Sequence, residues 1–290
     1  MCGRLIQAPT EIEFQNEVQK TAMEAAQRIA PHRSRLDVCT ESVLSNPRAY
    51  SLFLDVDGTL LELAATPNSI HIPEGLSDLL QLLMTRLDGA VAIISGRLIS
   101  EIDQIVRPII LPASGVHGSE LRGAASGAIE QISPTLPADV VASLRKLVPR
   151  FPGVIVEPKG AGLAIHYRLA PHAEADILAT IAHILKTHEG AFELLPGKRL
   201  FEIIPAGLSK GTALAALSQL PAFRGRVPIM IGDDIGDETA FGVAEEMRGF
   251  GLRVAGEYFH PDVADFSGPR SVMEWLEQIV DRPVHDSARS

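Results

Sequence analysis

Short apolar segments alternate with helical patterns after Tyr50, and this alternation restricts the possible folds more than any other feature. The segments SLFLDVD, AVAIIS and VPIMIGDD are apolar until they end in polar residues, which is typical of strands buried on both faces. Helical patterns such as PEGLSDLLQLLMTRL and KGTALAALSQL lie between them. Buried strands that alternate with helices predict an α/β fold with a parallel sheet covered by helices.

A different pattern lies between Glu120 and Pro205. Four strand-like segments come in pairs separated by turn signals, together with two helical segments, which predicts an inserted α+β domain. Before the first strand, apolar residues repeat at helical spacing from Phe14 to Ile29, and PHRSRLDVCTESVLSNPR indicates a linker. The predicted organisation is an N-terminal helical extension and linker (1–47), a core in two pieces (48–119 and 206–282), an inserted domain (120–205) and a flexible tail (283–290).

The charge and the apolar content exclude several classes of function. The 290-residue chain has a net charge of −10 and no cluster of Lys or Arg longer than two residues, so we expect no nucleic-acid binding. The chain contains no apolar stretch of about 18 residues, so we expect no membrane span. The chain shows no secretory signal pattern, so the predicted location is the cytoplasm. Cys2 and Cys39 are expected to be free thiols, and we expect a monomer.

The motif Asp55-Val-Asp57-Gly58-Thr59 follows the first predicted strand. Two carboxylates two residues apart point the same way from an extended chain. A calcium loop of the EF-hand type would need Gly and Glu at its sixth and twelfth positions, where this chain has Leu60 and Thr66. A surface turn would not need an apolar strand before it. The motif therefore predicts ligand-binding carboxylates at the carboxyl end of a strand.

Two further motifs could bind an anion. Ser95, Gly96 and Arg97 close the second strand before a helix, and Lys210 opens a later helix. A helix N-terminus favours anions, although Ser is also common there as a simple cap. The positive charge of a lysine at this position opposes the helix dipole. Either a nearby carboxylate or phosphate compensates for this charge, or the lysine is solvated.

The segment Gly232-Asp233-Asp234-Ile235-Gly236-Asp237-Glu238 concentrates acidic residues after the last central strand. A helix cap with acids in its first turn would explain Asp237 and Glu238 but not the adjacent pair before them. Mg²⁺ prefers carboxylate oxygens and would relieve their repulsion. The segment therefore predicts a magnesium site.

The order D-x-D-G-T, S-G-R, K-G and G-D-D-x-x-D resembles phosphatases of the haloacid dehalogenase superfamily, which implies a Rossmann-like parallel-sheet core with an inserted α+β cap domain. The pieces GVHGSEL, VEPKGAGLAIHYR, GKRLFEIIP and IGDDIGDETAF are more narrowly similar to trehalose-6-phosphate phosphatases. This resemblance covers roughly residues 48–280. One departure is Gly236, where that family usually has Thr.

The resemblance implies a role for each catalytic residue. Asp55 would be the nucleophile and form an aspartyl-phosphate, Asp57 the general acid and base, and Ser95 and Lys210 the groups that hold the phosphoryl oxygens. Mg²⁺ would be held by Asp55, the backbone carbonyl of Asp57 and Asp233. The remaining acids, Asp234 and Asp237, would hold the water ligands of the metal or orient Lys210.

The resemblance also implies substrate contacts and a substrate, trehalose 6-phosphate, hydrolysed in the last step of trehalose biosynthesis. Sucrose phosphate and mannosylglycerate phosphate are alternative substrates, and an inactive regulatory subunit is an alternative of another class. The pathway neighbour, trehalose-6-phosphate synthase, is a candidate partner. Each cap residue could instead form a surface ion pair, and His117 could be a structural hydrogen-bonding group. The predicted substrate-binding residues are Gly96, Arg97, His117, Glu157, Lys159, His166, Arg168, Lys198 and Glu202.

Overall fold

A computed structural model describes residues 33–63, 70–197 and 199–281. The strands are β1 (Tyr50–Leu54), β2 (Val91–Ile94), β3 (Ala113–Gly115), β4 (Glu120–Arg122), β5 (Glu130–Gln131), β6 (Ile155–Lys159), β7 (Gly162–His166), β8 (Phe192–Gly197), β9 (Leu200–Pro205), β10 (Val227–Gly232) and β11 (Phe250–Arg253). The helices are α1 (Arg35–Ser45), α2 (Leu76–Arg86), α3 (Ile99–Val106), α4 (Ala138–Arg145), α5 (Glu174–Thr187), α6 (Lys210–Ser218), α7 (Glu238–Glu246) and α8 (Pro269–Asp281).

The larger sheet has seven strands in the order β11-β10-β1-β2-β3-β4-β5. Its first five strands are parallel, and β4 and β5 continue it as an antiparallel edge. In β1, Leu52, Phe53 and Leu54 are all buried, as expected for a strand covered on both faces. The prediction of an α/β fold with a mostly parallel central sheet is confirmed.

A second sheet has four antiparallel strands in the order β6-β7-β9-β8. It packs with α4 and α5 around an apolar cluster of its own, which includes Leu163, Ile177 and Ile203. We call this part of the chain the insert. The two helices predicted between Glu120 and Pro205 correspond to α4 and α5.

The boundary predicted between residues 119 and 120 differs from the structure, because β4 and β5 belong to the larger sheet. Hydrogen bonds of Glu120 hold this part of the chain on the larger sheet. Its carboxylate accepts hydrogen bonds from the backbone N–H of Ile99 at 2.9 Å and from the amide of Gln131 at 3.0 Å. The apolar cluster of the insert begins only at Leu136.

The predicted linker before β1 is also wrong, because it contains α1. Ser34 and Asp37 form a reciprocal capping box at its start. Cys39 and Val43, one helical turn apart, are buried against the core, and Arg35 donates to the carbonyl of Gly251 at 2.9 Å. The helix predicted from Phe14 to Ile29 and the predicted tail at 283–290 lie outside the described residues. Among those that are described, no helix is both long and apolar enough to cross a membrane.

Candidate active site

The carboxyl ends of β1 and β10 bring two distant acids together. The strands are parallel neighbours in which Leu54 lies opposite Ile231. The backbone N–H of Asp55 donates to the carbonyl of Ile231 at 3.0 Å. Asp55 and Asp233, which follow these strands, therefore lie side by side at the edge where open α/β sheets bind ligands.

A cluster of three buried carboxylates results. Asp55, Asp233 and Asp237 each offer an oxygen within 4.8 Å of the others, and Oδ1 of Asp233 is buried without a hydrogen-bond partner. Burial raises the pKa of Asp55 to about 7, although Lys210 opposes this. Burial, with the neighbouring acids, raises the pKa of Asp233 to about 9. Such crowding of carboxylates fits a hard divalent cation, which would share the unpaired oxygen and stabilise the ionised forms.

Lys210 neutralises part of this charge. Its Nζ donates to Oδ1 of Asp55 and to Oδ1 of Asp237, both at 2.7 Å, and all three side chains are buried. Burial lowers the pKa of Lys210, but the two carboxylates outweigh it and raise the pKa above its usual value. The charge that compensates for a lysine at the N-terminus of α6 is thus supplied by the protein itself.

Asp237 also organises the loop that carries Asp233. Its second oxygen, Oδ2, accepts hydrogen bonds from the backbone N–H groups of Asp233 at 3.1 Å and Asp234 at 3.0 Å. Burial raises the pKa of Asp234, whose side chain accepts from the N–H of Ile235. A Cβ at Gly236 would make only ordinary contacts, the nearest with Leu195, so the departure from the usual Thr leaves the loop intact.

Asp57 lies beside the cluster and is paired with Arg97. The guanidinium donates from Nε and from one terminal nitrogen to the two oxygens of Asp57, both at 2.6 Å. This bidentate geometry is among the strongest ion-pair arrangements. Ser95, at the end of β2, accepts a hydrogen bond from the backbone N–H of Arg97 at 3.3 Å. In this structure Arg97, which the sequence predicts as a substrate contact, positions Asp57.

The insert supplies a second set of charged side chains, which faces the carboxylate cluster across the cleft. Glu157 on β6 and Glu202 on β9 are in register with Ala164 of the strand between them, so both project from the same face. Lys159 lies 3.9 Å from Glu157 and 3.8 Å from Glu202. His166 contacts Glu157 at 2.9 Å and, as the leading cause, lowers the pKa of that carboxyl.

His117 links the larger sheet to the insert. It lies in a turn after β3 with a positive φ of 52°, and its Nε2 is 2.8 Å from Oε2 of Glu202. Burial raises the pKa of Glu202, but His117, Lys159 and Lys210 together lower it to about 2. Lys159 makes a second link, because its Nζ donates to the carbonyl of Gly96 at 3.4 Å.

These groups enclose one cleft of about 520 Å³, within the range of small-molecule sites. Every predicted site residue that the structure describes lines this cleft except Asp237, which is buried behind Lys210. Lys198 lies outside the described residues. Among the other residues that line the cleft are Ile155, Leu169, Glu257 and Tyr258, which belong to none of the motifs recognised in the sequence.

The fold is the one found in phosphatases of the haloacid dehalogenase type. A solved phosphatase of that superfamily from Bacteroides thetaiotaomicron superimposes with a TM-score of 0.52 at 18% identity, over 81% of this chain and 96% of that one. The C-terminal domain of a Candida albicans trehalose-6-phosphate phosphatase superimposes with a TM-score of 0.72 at 20% identity, over 85% and 97% of the two chains. At these identities the likeness concerns the fold.

Sequence comparison identifies the family. The trehalose-phosphatase family profile matches residues 53–267. A trehalose-6-phosphate phosphatase of Escherichia coli K12 is 36% identical over 244 residues, covering 83% of this chain and 91% of that protein. A probable trehalose-phosphate phosphatase of Sinorhizobium fredii is 37% identical over 71% of this chain and 77% of the relative. This chain belongs to the trehalose-phosphatase family.

Proposed function

We propose that this protein hydrolyses trehalose 6-phosphate to trehalose and inorganic phosphate, with Asp55 as the nucleophile. The observation that carries the proposal is the position of the Asp55 carboxylate. It lies at the floor of the cleft, between Lys210 and the acids that follow β10, and the insert places polar groups above it. The names of the E. coli and S. fredii relatives support the choice of substrate.

In the first step, an oxygen of Asp55 attacks phosphorus and the bond to the sugar oxygen breaks, which leaves an aspartyl-phosphate. Asp57 gives a proton to the departing sugar oxygen. The Arg97 ion pair keeps Asp57 at the edge of the cleft, and the entering phosphoryl oxygens compete for the same guanidinium. Asp57 is then free to carry the proton.

In the second step, Asp57 takes a proton from a water molecule, and the oxygen of that water attacks the phosphorus of the aspartyl-phosphate. The bond to Asp55 breaks and phosphate leaves. Lys210 and Ser95 hold the phosphoryl oxygens through both steps. Because Lys210 is fixed by Asp55 and Asp237, its charge needs little reorganisation as negative charge develops.

The carboxylate cluster would hold Mg²⁺ through Asp55, Asp233 and the backbone carbonyl of Asp57, with Asp234 and Asp237 supporting its water ligands or orienting Lys210. When bound, the ion neutralises charge on the phosphoryl group and the nucleophile. The unpaired buried oxygen of Asp233 supports this assignment.

The insert would act as a cap that recognises the sugar. Glu157, Lys159, His166 and Glu202 offer both donors and acceptors in one cluster, as sugar hydroxyl groups require. Gly96, His117 and Arg168 line the same cleft, and Lys198 remains a prediction from the sequence. We also retain the expectations of a monomer, a cytoplasmic location and trehalose-6-phosphate synthase as the pathway neighbour.

A panel of phosphorylated sugars tests this function, with phosphate release in the presence of Mg²⁺ as the readout. We expect the highest kcat/KM for trehalose 6-phosphate, and sucrose phosphate and mannosylglycerate phosphate to be poor substrates. Either of these two as the best substrate would refute the assignment. Asp55→Asn should abolish turnover while the free energy of unfolding stays similar, and retained turnover would remove Asp55 from the role of nucleophile.

A further inference from the structure

The mouth of the cleft exposes large apolar side chains that the proposed chemistry does not use. Leu169 is 71% exposed, Tyr258 47% and Ile155 45%, and all three line the cleft. Exposed apolar groups gathered at a binding cavity indicate a contact surface. The floor of the same cleft carries the charged groups around Asp55 and Lys210, so the cleft changes from charged to apolar toward solvent.

Strand β6 shows the direction of this change. Ile155, Glu157 and Lys159 alternate with the residues between them and therefore project from the same face. Lys159 reaches the carbonyl of Gly96 at the inner end, whereas Ile155 lies at the mouth. Four residues of extended chain span roughly 13 Å. The cleft thus has an inner charged part and an outer apolar part along one strand.

The outer part of the cleft has two sides, one formed by the larger-sheet part of the chain and one by the insert. Tyr258 follows β11 of the larger sheet, and Leu169 follows β7 of the insert. Their sequence neighbours form an ion pair across the mouth, because a terminal nitrogen of Arg168 lies 3.6 Å from Oε2 of Glu257. This contact holds the two sides close to each other.

The Tyr258 ring is supported from behind. It packs edge to face on Phe259 with ring centroids 4.8 Å apart, and Phe259 is buried. The guanidinium of Arg253 lies 5.5 Å from the centre of the Phe259 ring. The Tyr258 ring is therefore anchored on one side and half-exposed on the other, and an anchored aromatic ring loses little entropy when a ligand packs on it.

We propose that Tyr258, together with Leu169 and Ile155, forms a subsite for the sugar ring remote from the phosphate. This inference rests on the proposed function, because it assigns the second ring of a disaccharide phosphate. A pyranose ring has C–H groups on its faces and hydroxyl groups around its edge. The aromatic and aliphatic side chains fit the faces, and the ion pair of Arg168 and Glu257 offers a donor and an acceptor to the hydroxyl groups.

The subsite makes Tyr258 a residue that selects disaccharide phosphates over monosaccharide phosphates. A monosaccharide phosphate fills only the inner part of the cleft and does not reach Tyr258. Loss of the aromatic ring should therefore weaken the use of the longer substrate alone, and it should act mainly through KM because the contact lies far from the reacting phosphorus.

The test measures kcat/KM for trehalose 6-phosphate and for glucose 6-phosphate in the wild type, Tyr258→Ala and Tyr258→Phe. The ratio of the two values is expected to fall about three- to tenfold in Tyr258→Ala, the size of one aromatic contact. Tyr258→Phe should keep the wild-type ratio. Val263→Ala is the matched control, because Val263 is 62% exposed in the same loop and does not line the cleft.

The outcomes separate the two proposals. A wild-type enzyme that does not prefer the disaccharide phosphate would refute the proposed function and the subsite with it. A wild-type preference that persists in Tyr258→Ala, or that falls equally in Val263→Ala, would refute the subsite and leave the proposed function standing.

Discussion

Replacing Gly58 by Ala should damage the carboxylate cluster in a way that can be separated from backbone strain. Gly58 has a φ of +78°, and a Cβ at this position would overlap the carboxylate of Asp233. Gly75 provides a matched control. Its φ is +79°, and a Cβ there would have no neighbour within 4 Å.

Both variants incur backbone strain, but only Gly58→Ala also displaces a buried side chain. A side chain at a left-handed residue costs roughly 1–2 kcal/mol, and this cost applies to both Gly58→Ala and Gly75→Ala. Only at Gly58 must a buried group move to make room for the methyl group, which adds roughly 1–3 kcal/mol. The displaced group is Asp233, so Mg²⁺ affinity should also fall, by roughly 10- to 100-fold.

Urea denaturation in the presence of a chelator measures the free energy of unfolding of both variants without a contribution from the metal. Titration calorimetry with Mg²⁺ then gives the affinity, and phosphate release gives kcat/KM. We expect Gly75→Ala to bind Mg²⁺ and turn over as the wild type does. Equal stability and equal Mg²⁺ affinity in the two variants would show that Gly58 is not required for the position of Asp233.

Two further predictions concern buried groups that titrate. The pKa of Glu202 lies at about 2 in the folded protein, below its usual 4.5, so its charge stabilises the fold above pH 4.5 and this contribution is lost as the pH falls toward 2. The difference in free energy of unfolding between the wild type and Glu202→Gln should thus shrink by about 1 kcal/mol from pH 7 to pH 4 in urea denaturation, and a difference independent of pH would contradict this. Burial, with the charge of Asp265, raises the pKa of the Cys39 thiol from 9.0 to about 12. In a Cys2→Ser background at pH 8, iodoacetamide should label Cys39 only after unfolding, and rapid labelling of the native protein would contradict its burial.

The central sheet and the edge that carries the candidate site could be predicted because both follow from local patterns. Continuously apolar strands indicate a sheet covered on both faces, and the carboxyl ends of parallel strands meet at one edge. The sequence alone therefore predicts that Asp55, Ser95 and Asp233 lie close together. The pairing of β1 with β10, which sets their actual distance, is a tertiary feature.

The errors occur where tertiary contacts decide. Helix α1 buries few apolar residues, and it is stabilised by its cap and by Arg35, whose partners are Glu245 and Gly251 far along the chain. The local pattern predicts that Glu120 belongs to the insert, because nothing in it indicates the hydrogen bond from the backbone N–H of Ile99 to the Glu120 carboxylate.

The cleft-lining residues that the sequence did not predict, such as Tyr258, belong to no recognisable motif. Tyr258 lies in a loop, and only the approach of the insert gives its exposed ring a place in the cleft. The sequence predicts Arg97 as a substrate contact, but its bidentate pair with Asp57 depends on the distance between the ends of β1 and β2. Such a distance cannot be obtained from spacing along the chain.

The central position of β1 has a consequence for the order in which the protein is made. β1 lies between β2, which follows it soon, and β10, which leaves the ribosome only after the whole insert. Until β10 emerges, one edge of β1 lacks its partner, and an apolar strand with an open edge is prone to pair with other chains. Lys210, the ion-pair partner of Asp55, lies 155 positions later in the chain and is therefore also synthesised late. The central sheet and the charge balance of the site are therefore completed in the same late stage of synthesis.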